Sequence, residues 1–189
     1  MEKTKTPLLL IISCLLTATA TAAHSENICQ GKENLLKFNV YVQDIRGGPS
    51  PTVYTVAEAS ITANSPTSFG VIHVVDNLVT AGPDINSAAV GRAQGLATFA
   101  DLHTVAASEN INFVFTAGEF NGSTISTTGR NPVTNLEREL TVVGGTGAFR
   151  FARGYAITST YSDDTAADSS VLQYTFYVAR YAGASRDSV

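Results

Sequence analysis

Apolar and polar positions alternate along most of the chain from residue 35 onward. In "LLKFNVYVQD", Phe38, Val40, Val42 and Asp44 fall on one face, and Asn39, Tyr41 and Gln43 on the other. That is the two-residue period of a half-buried strand. The turn residues of "RGGPSP" interrupt it, "TVYTVAEA" follows, and "FGVIHVVD" resumes beyond the loop "NSPTS". β-branched and aromatic residues dominate these runs, as strands favour. "NLVTAGPDINSAAV", with its Gly-Pro pair, reads as a long loop over one end of the fold. "GRAQGLATFADL", "INFVFTAGEF", "STISTTG", "ELTVV", "FRFARGYAITSTYS" and "VLQYTFYVARY" complete the series. Nowhere does a capping residue precede apolar residues at i, i+3, i+4, so no helix is expected. About eight or nine short strands make an all-β single domain, a barrel or a sandwich. Closing an antiparallel barrel would remove exposed edges, and eight strands leave a small interior cavity.

The passage "RELTVVGGTGAFRFARGYA" tests a different reading, a phosphate-binding loop between a strand and a helix. A dinucleotide fingerprint counted from Gly145 and Gly147 requires glycine where Arg150 stands, and no Gly-Lys-Ser or Gly-Lys-Thr follows. Phe149, Phe151, Arg153, Tyr155, Ile157 and Tyr161 share one parity, and Arg150, Ala152, Gly154, Ala156 and Thr158 the other. That is a strand period, and without a helix N-terminus the groups that bind pyrophosphate are missing. The glycines predict a turn at positive φ between two strands.

The first residues read as a secretory leader. Lys3 and Lys5 precede "PLLLIISCLL", too short to span a bilayer, and small residues lead to a cleavage point after Ala22 or Ala23. The expected organisation is a leader at 1–23, a flexible segment at 24–34, a barrel at 35–182 and a disordered tail at 183–189. Removing Lys3, Lys5 and Glu2 with the leader moves the formal net charge from −4 to −5. This acidity argues against nucleic acid or an anionic membrane as partner. Cys29 becomes the single cysteine of the exported form, so no intrachain disulfide is expected. His24, His73 and His103 lack ligand spacing, and no haem, copper or flavin signature is present, so neither a metal nor another cofactor is expected. Asn121-Gly122-Ser123 is both an N-glycosylation acceptor and a hairpin turn.

Charged residues inside or beside strands are the candidate chemistry: Asp44, Asp76, Arg92, Arg138, Glu139, Arg150 and Arg153. Each either faces water, closes a barrel end as an ion pair, or lines a cavity. Asp44 continues the apolar face of Phe38, Val40 and Val42, where a lone carboxylate is costly, so it calls for a pocket or an arginine. Arg92 sits between glycines that permit close backbone approach, and Asp76 joins it as a candidate cavity residue. No nucleophile–base set emerges. Acid–base and oxyanion-type assistance from Asp and Arg remains.

The blocks "VQDI", "FGVIHVVDNLVTAGPDINSAAVGRAQG", "NFVFTAGEFNGSTISTTGRNPV" and "RELTVVGGTGAFRFARGYA" resemble, in order and spacing, the signature blocks of the plant dirigent family, over residues 38–181. The resemblance implies an eight-stranded antiparallel β-barrel, a homotrimer or homodimer, secreted to the apoplast and glycosylated at Asn121. It further implies stereocontrol of phenoxy radical coupling of monolignols or related phenols, as in lignan biosynthesis, with radicals supplied by a laccase or peroxidase. Asp44 and Arg138 carry over as the catalytic aspartate and arginine. The second aspartate of pinoresinol-forming members falls on Asn131. Phe99 stands where those members have a tyrosine, and Leu172 where they have a phenylalanine. These departures point to another subgroup. One alternative it implies is a quinone-methide-handling dehydrating cyclase, a lyase of isoflavonoid metabolism like the pterocarpan-forming relatives. The other is a non-catalytic protein of the cell wall, acting in lignin deposition or defence.

Overall fold

The computed structural model describes residues 32–181. The leader, Cys29 and the tail lie outside them. Nine strands are present: β1 (Glu33–Ile45), β2 (Val53–Ala57), β3 (Ile72–Thr80), β4 (Ala89–Phe99), β5 (Ala106–Phe115), β6 (Thr124–Pro132), β7 (Arg138–Gly145), β8 (Arg153–Asp164) and β9 (Ser169–Tyr181). Among the described residues the only helical turns are two 3₁₀ turns, Thr62–Asn64 and Gly147–Phe149.

Strands β3 to β9 pair in sequence order, each antiparallel to the next. β1 closes the ring. One edge pairs with β9 from Glu33↔Tyr181 to Ile45↔Ser169, and the other with the end of β3, from Tyr41↔Thr80 to Gln43↔Leu78. β2 continues the line of β1 along the rest of β3, with Val53 opposite Val75. The chain leaves this line after Ile45 and rejoins it at Thr52, whose N–H donates to the Ile45 carbonyl at 2.8 Å. The result is a closed eight-stranded antiparallel barrel with β2 as a short extension, as the alternation and the resemblance together anticipate.

Boundaries differ from the sequence expectation at several strands: β5 runs Ala106–Phe115 where the pattern predicts "INFVFTAGEF", β6 continues to Pro132, and β4 starts at Ala89, within the stretch read as loop. Three further differences shape the barrel. β1 starts at Glu33, within the segment read as flexible, because Glu33 and Asn34 pair with Tyr181 and Arg180. β3 runs on through "NLVT", read as loop, to Thr80. Its polar residues there are buried and bonded: the Gln43 amide donates to Thr80 Oγ1 at 2.9 Å, and Asn77 donates to Asp44. β8 starts only at Arg153. Phe149 closes a 3₁₀ turn and is fully buried, while Phe151 adopts a positive φ and is exposed, so their shared parity reflects a turn and not a strand. The glycine turn itself is present. Gly147 has φ +56°, and a Cβ there would lie 2.5 Å from Ser123 Oγ.

One end of the barrel is filled with phenyl rings. Phe38 stacks on Phe176 at 4.9 Å, and Phe113 meets Phe176 edge-on at 5.0 Å. Phe115, Phe120 and Phe149 complete the plug. Burying each such side chain contributes roughly 1.5–3 kcal/mol. Towards the other end the inward positions shrink to Ala93, Ala97 and Ala107, and there the interior stays open. β4 lies tight against β5 on this wall, since a Cβ on Gly95 would sit 1.9 Å from the Asn110 carbonyl oxygen.

Candidate functional site

The open end is a cavity of about 470 Å³. That volume suits one small organic ligand. Apolar wall is supplied by Val42, Val75, Ile111, Phe99, Leu172 and the buried ring of Tyr174. Val42, Ile111 and Tyr174 point inward because they share strand parity with the phenyl plug below them, Val42 with Phe38, Ile111 with Phe113, and Tyr174 with Phe176, as does Leu172. Val75 and Phe99 share the inward parity of Asn77 and of Ala93 and Ala97.

Polar groups enter this wall in two clusters. The first surrounds Asp44, near the end of β1. Asp44 Oδ2 accepts from Arg46 Nη1 at 2.5 Å, and Oδ1 accepts from Asn77 Nδ2 at 2.9 Å. Arg46, just beyond β1, also donates through Nε to Asp168 at 3.0 Å, through Nη2 to Ser170 at 3.0 Å, and lies 3.5 Å from Asp163. It ties the cavity carboxylate to the β8–β9 turn. His73 on β3 lines the same side, its Nδ1 3.1 Å from Thr55 Oγ1 and its ring edge-on to Phe99. Partial burial pushes the imidazole below its usual range, so near neutral pH it is uncharged.

The second cluster lies three strands round the ring, on β5, β6 and β7. Glu109 is 9% exposed, and its Oε1 accepts from Asn131 Nδ2 at 2.6 Å. Arg138 is 4% exposed and donates through Nη1 to the Asn135 carbonyl at 3.1 Å and to Thr160 Oγ1 at 3.2 Å. Glu109 Oε2, Asn131 Oδ1 and Arg138 Nε have no hydrogen-bond partner among the described residues. Buried polar atoms are seldom left so; Glu109 Oε2 and Asn131 Oδ1 lack a donor and Arg138 Nε lacks an acceptor, and a ligand hydroxyl can serve as either. Burial raises the proton affinity of Glu109. The amide of Asn131 and the charge of Arg138 act against this, and the charge of Asp44 adds to it. Burial likewise pushes the Tyr174 phenol up, and its hydroxyl stays protonated.

Of the residues singled out in the sequence, Asp44, Arg138, Phe99, Asn131 and Leu172 meet in this cavity. Asp76 and Arg92 do not. They have the opposite parity to Val75, Asn77 and Ala93, and they pair with each other on the outer face at 2.8 Å. Arg153 is also outward, paired with Glu33 at 2.6 Å, and Glu139 is exposed. Asn121 is exposed in the loop 116–123, while Ser123 is buried and accepts from the Ala148 N–H at 3.0 Å. Sequence reasoning missed Arg46, His73, Asn77 and Glu109. The signal for Glu109 was available: it continues the face of Ile111, Phe113 and Phe115, as Asp44 continues that of Val40 and Val42. Among the described residues no three His, Cys, Asp or Glu side chains are grouped to hold a metal ion.

The chain is similar to known proteins over most of its length. The family model described as "Dirigent-like protein" matches residues 35–179. Dirigent protein 11 of Arabidopsis thaliana is 47% identical over 159 residues, covering 80% of this chain and 82% of that protein. Pterocarpan synthase 1 of Glycyrrhiza echinata is 34% identical over 178 residues, covering 91% and 95%. Among solved structures, the pterocarpan synthase dirigent protein GePTS1 superposes with a TM-score of 0.74 at 37% identity, covering 84% of this chain and 90% of that one.

Proposed function

This chain belongs to the dirigent family, and on that premise we propose that its barrel binds a reactive phenolic intermediate and fixes the face on which the next bond forms. The observation that carries this reading is one cavity with an apolar, ring-lined wall and two separate oxygen-binding clusters, Asp44–Arg46–Asn77 and Glu109–Asn131–Arg138. A planar phenol held at both ends presents one face to its reaction partner, and most of the rate effect comes from holding that geometry. In the first form of the reading the intermediate is a phenoxy radical, from a monolignol or related phenol, generated by an external laccase or peroxidase. The barrel then directs coupling.

A second form has its own support. Two carboxyl groups of unequal surroundings in one cavity are what acid–base chemistry uses: Asp44 is ion-paired, and Glu109 is buried without such a partner. This favours dehydrating ring closure through a quinone methide, in keeping with the names of the pterocarpan synthase relatives. No oxidant enters that reaction. The deciding experiment incubates the purified protein with coniferyl alcohol and with a hydroxylated isoflavonoid bearing a benzylic alcohol. Each is run with and without a one-electron oxidant, and products are resolved on a chiral column. Enantiomeric excess only with oxidant supports coupling, and ring closure without it supports the lyase. Racemic products throughout, with no melting shift on adding any phenol, would leave the non-catalytic wall role.

Export to the apoplast by the leader at 1–23 and glycosylation at the exposed Asn121 belong to the same proposal. So does assembly as a trimer or dimer, supported by the outward row Tyr54, Val74 and Leu96 across β2, β3 and β4. Ultracentrifugation and glycosidase treatment of the secreted protein test both.

A further inference from the structure

We propose that Glu109 is the proton donor of the cavity, protonating the oxygen that leaves a phenolic substrate and recovering a proton when the new bond closes. This rests on the ring-closing form of the reading above. Three carboxyl groups line the cavity: Asp44, Glu109 and Asp163. Asp44 accepts from a guanidinium and an amide, and Asp163 accepts from Ser170 Oγ at 2.5 Å with Arg46 nearby at the half-exposed rim. Glu109 alone is deeply buried, and its one hydrogen bond comes from a neutral amide.

The bonding pattern supports the neutral acid. As a carboxylate, Glu109 leaves Oε2 without a donor and Asn131 Oδ1 without one either. A proton on Oε2 turns that oxygen into a donor inside a cluster that has acceptors to spare. Burial works in the same direction, and the nearby charge of Asp44 adds to it. Arg138 opposes these effects in the resting state, but it would stabilise the carboxylate formed once the proton has left. Tyr174, the other buried O–H donor on this wall, holds its proton too tightly to compete.

The chemistry balances with the residues present. The substrate class is a phenol conjugated to a carbon bearing a hydroxyl group, with a second phenolic hydroxyl in the same molecule. Asp44 accepts the proton of the first phenol. The carbon–oxygen bond to the hydroxyl breaks with its electron pair moving to oxygen, Glu109 protonates that oxygen, and water leaves. The quinone methide so formed is attacked at carbon by the second hydroxyl. That hydroxyl gives its proton to the Glu109 carboxylate, while the quinone oxygen regains an electron pair and the proton from Asp44. One water is lost, nothing is oxidised, and both carboxyls return to their starting state.

The test compares the parent with Glu109→Gln, Glu109→Asp and the exchange variant Glu109→Gln/Asn131→Asp, on the hydroxylated isoflavonoid without oxidant. A general acid supplies about a hundredfold or more, so Glu109→Gln is expected to lower kcat/KM by at least that factor. The exchange variant, which moves the acid across the 2.6 Å hydrogen bond to Asn131, is expected to recover at least about tenfold of it. Infrared difference spectra of the parent at neutral pH should show the carbonyl band of a protonated carboxylic acid, lost in Glu109→Gln. An active parent whose Glu109→Gln variant stays within about threefold in kcat/KM overturns the role of Glu109 and leaves ring closure standing. The missing infrared band overturns it too, even if the variant fails to fold. A parent that closes no ring without oxidant sinks the ring-closing reading itself, and this role with it.

Discussion

Replacing Asp44 by asparagine separates the chemical part of the site from its scaffold. In the parent both carboxylate oxygens accept, one from Arg46 and one from Asn77. Asparagine can present its oxygen to one of these donors, but its NH₂ then faces the other. The lost bond is to a charged group, worth roughly 1.5–3 kcal/mol. Arg46 is 37% exposed and keeps Asp168 and Asp163, which lowers the expected cost to about 1–1.5 kcal/mol. For a domain of this size that is a fall in Tm of roughly 2–6 °C, readable by calorimetry. Catalysis should suffer more. Without a carboxylate to take the phenolic proton, turnover of the hydroxylated isoflavonoid should drop at least about tenfold at temperatures where the variant is fully folded. Asp163→Asn is the control, since it removes another Arg46 partner at the exposed rim while an asparagine oxygen can still accept from Ser170, and it should leave Tm and turnover close to the parent's. A folded Asp44→Asn variant with unchanged turnover would refute the assignment, and so would an equal loss in Asp163→Asn.

Other substitutions probe the rest of the barrel. Phe176→Ala opens a void in the phenyl plug and should destabilise by about 3–5 kcal/mol, measured by urea titration. Arg92→Ala removes an outer-face ion pair and should change stability by less than about 0.5 kcal/mol and product stereochemistry not at all. Glu109 binds its proton more tightly folded than unfolded, so its contribution is fully present below the ordinary carboxylate range and lost as pH rises through the raised value. The stability of the parent relative to Glu109→Gln should therefore fall with rising pH across that window, by at most about 1.4 kcal/mol per unit, in denaturation at stepped pH.

The sequence by itself determined that the described residues fold as an all-β domain, and which side chains face the same way within a strand. Period-two alternation is a local property, so Asp44 could be placed on the face of Val42, and the glycine turn before β8 could be told from a nucleotide loop. Where a strand begins or ends was less legible. The stretch "NLVT" looks polar enough for a loop, and only the partners of Asn77 and Thr80 inside the closed ring keep it in β3. Parity also leaves inside and outside undecided wherever both faces carry mixed residues. The sequence pattern therefore admits Asp76 and Arg92 to the cavity, but their register turns them outward to each other. The tertiary structure alone decided the company each charge keeps. Residues 65 apart in the sequence, Asp44 and Glu109, share one cavity because β1 and β5 stand three places apart in a ring of eight. One carboxyl then meets a guanidinium and the other only an amide, and that difference arises from closing the barrel.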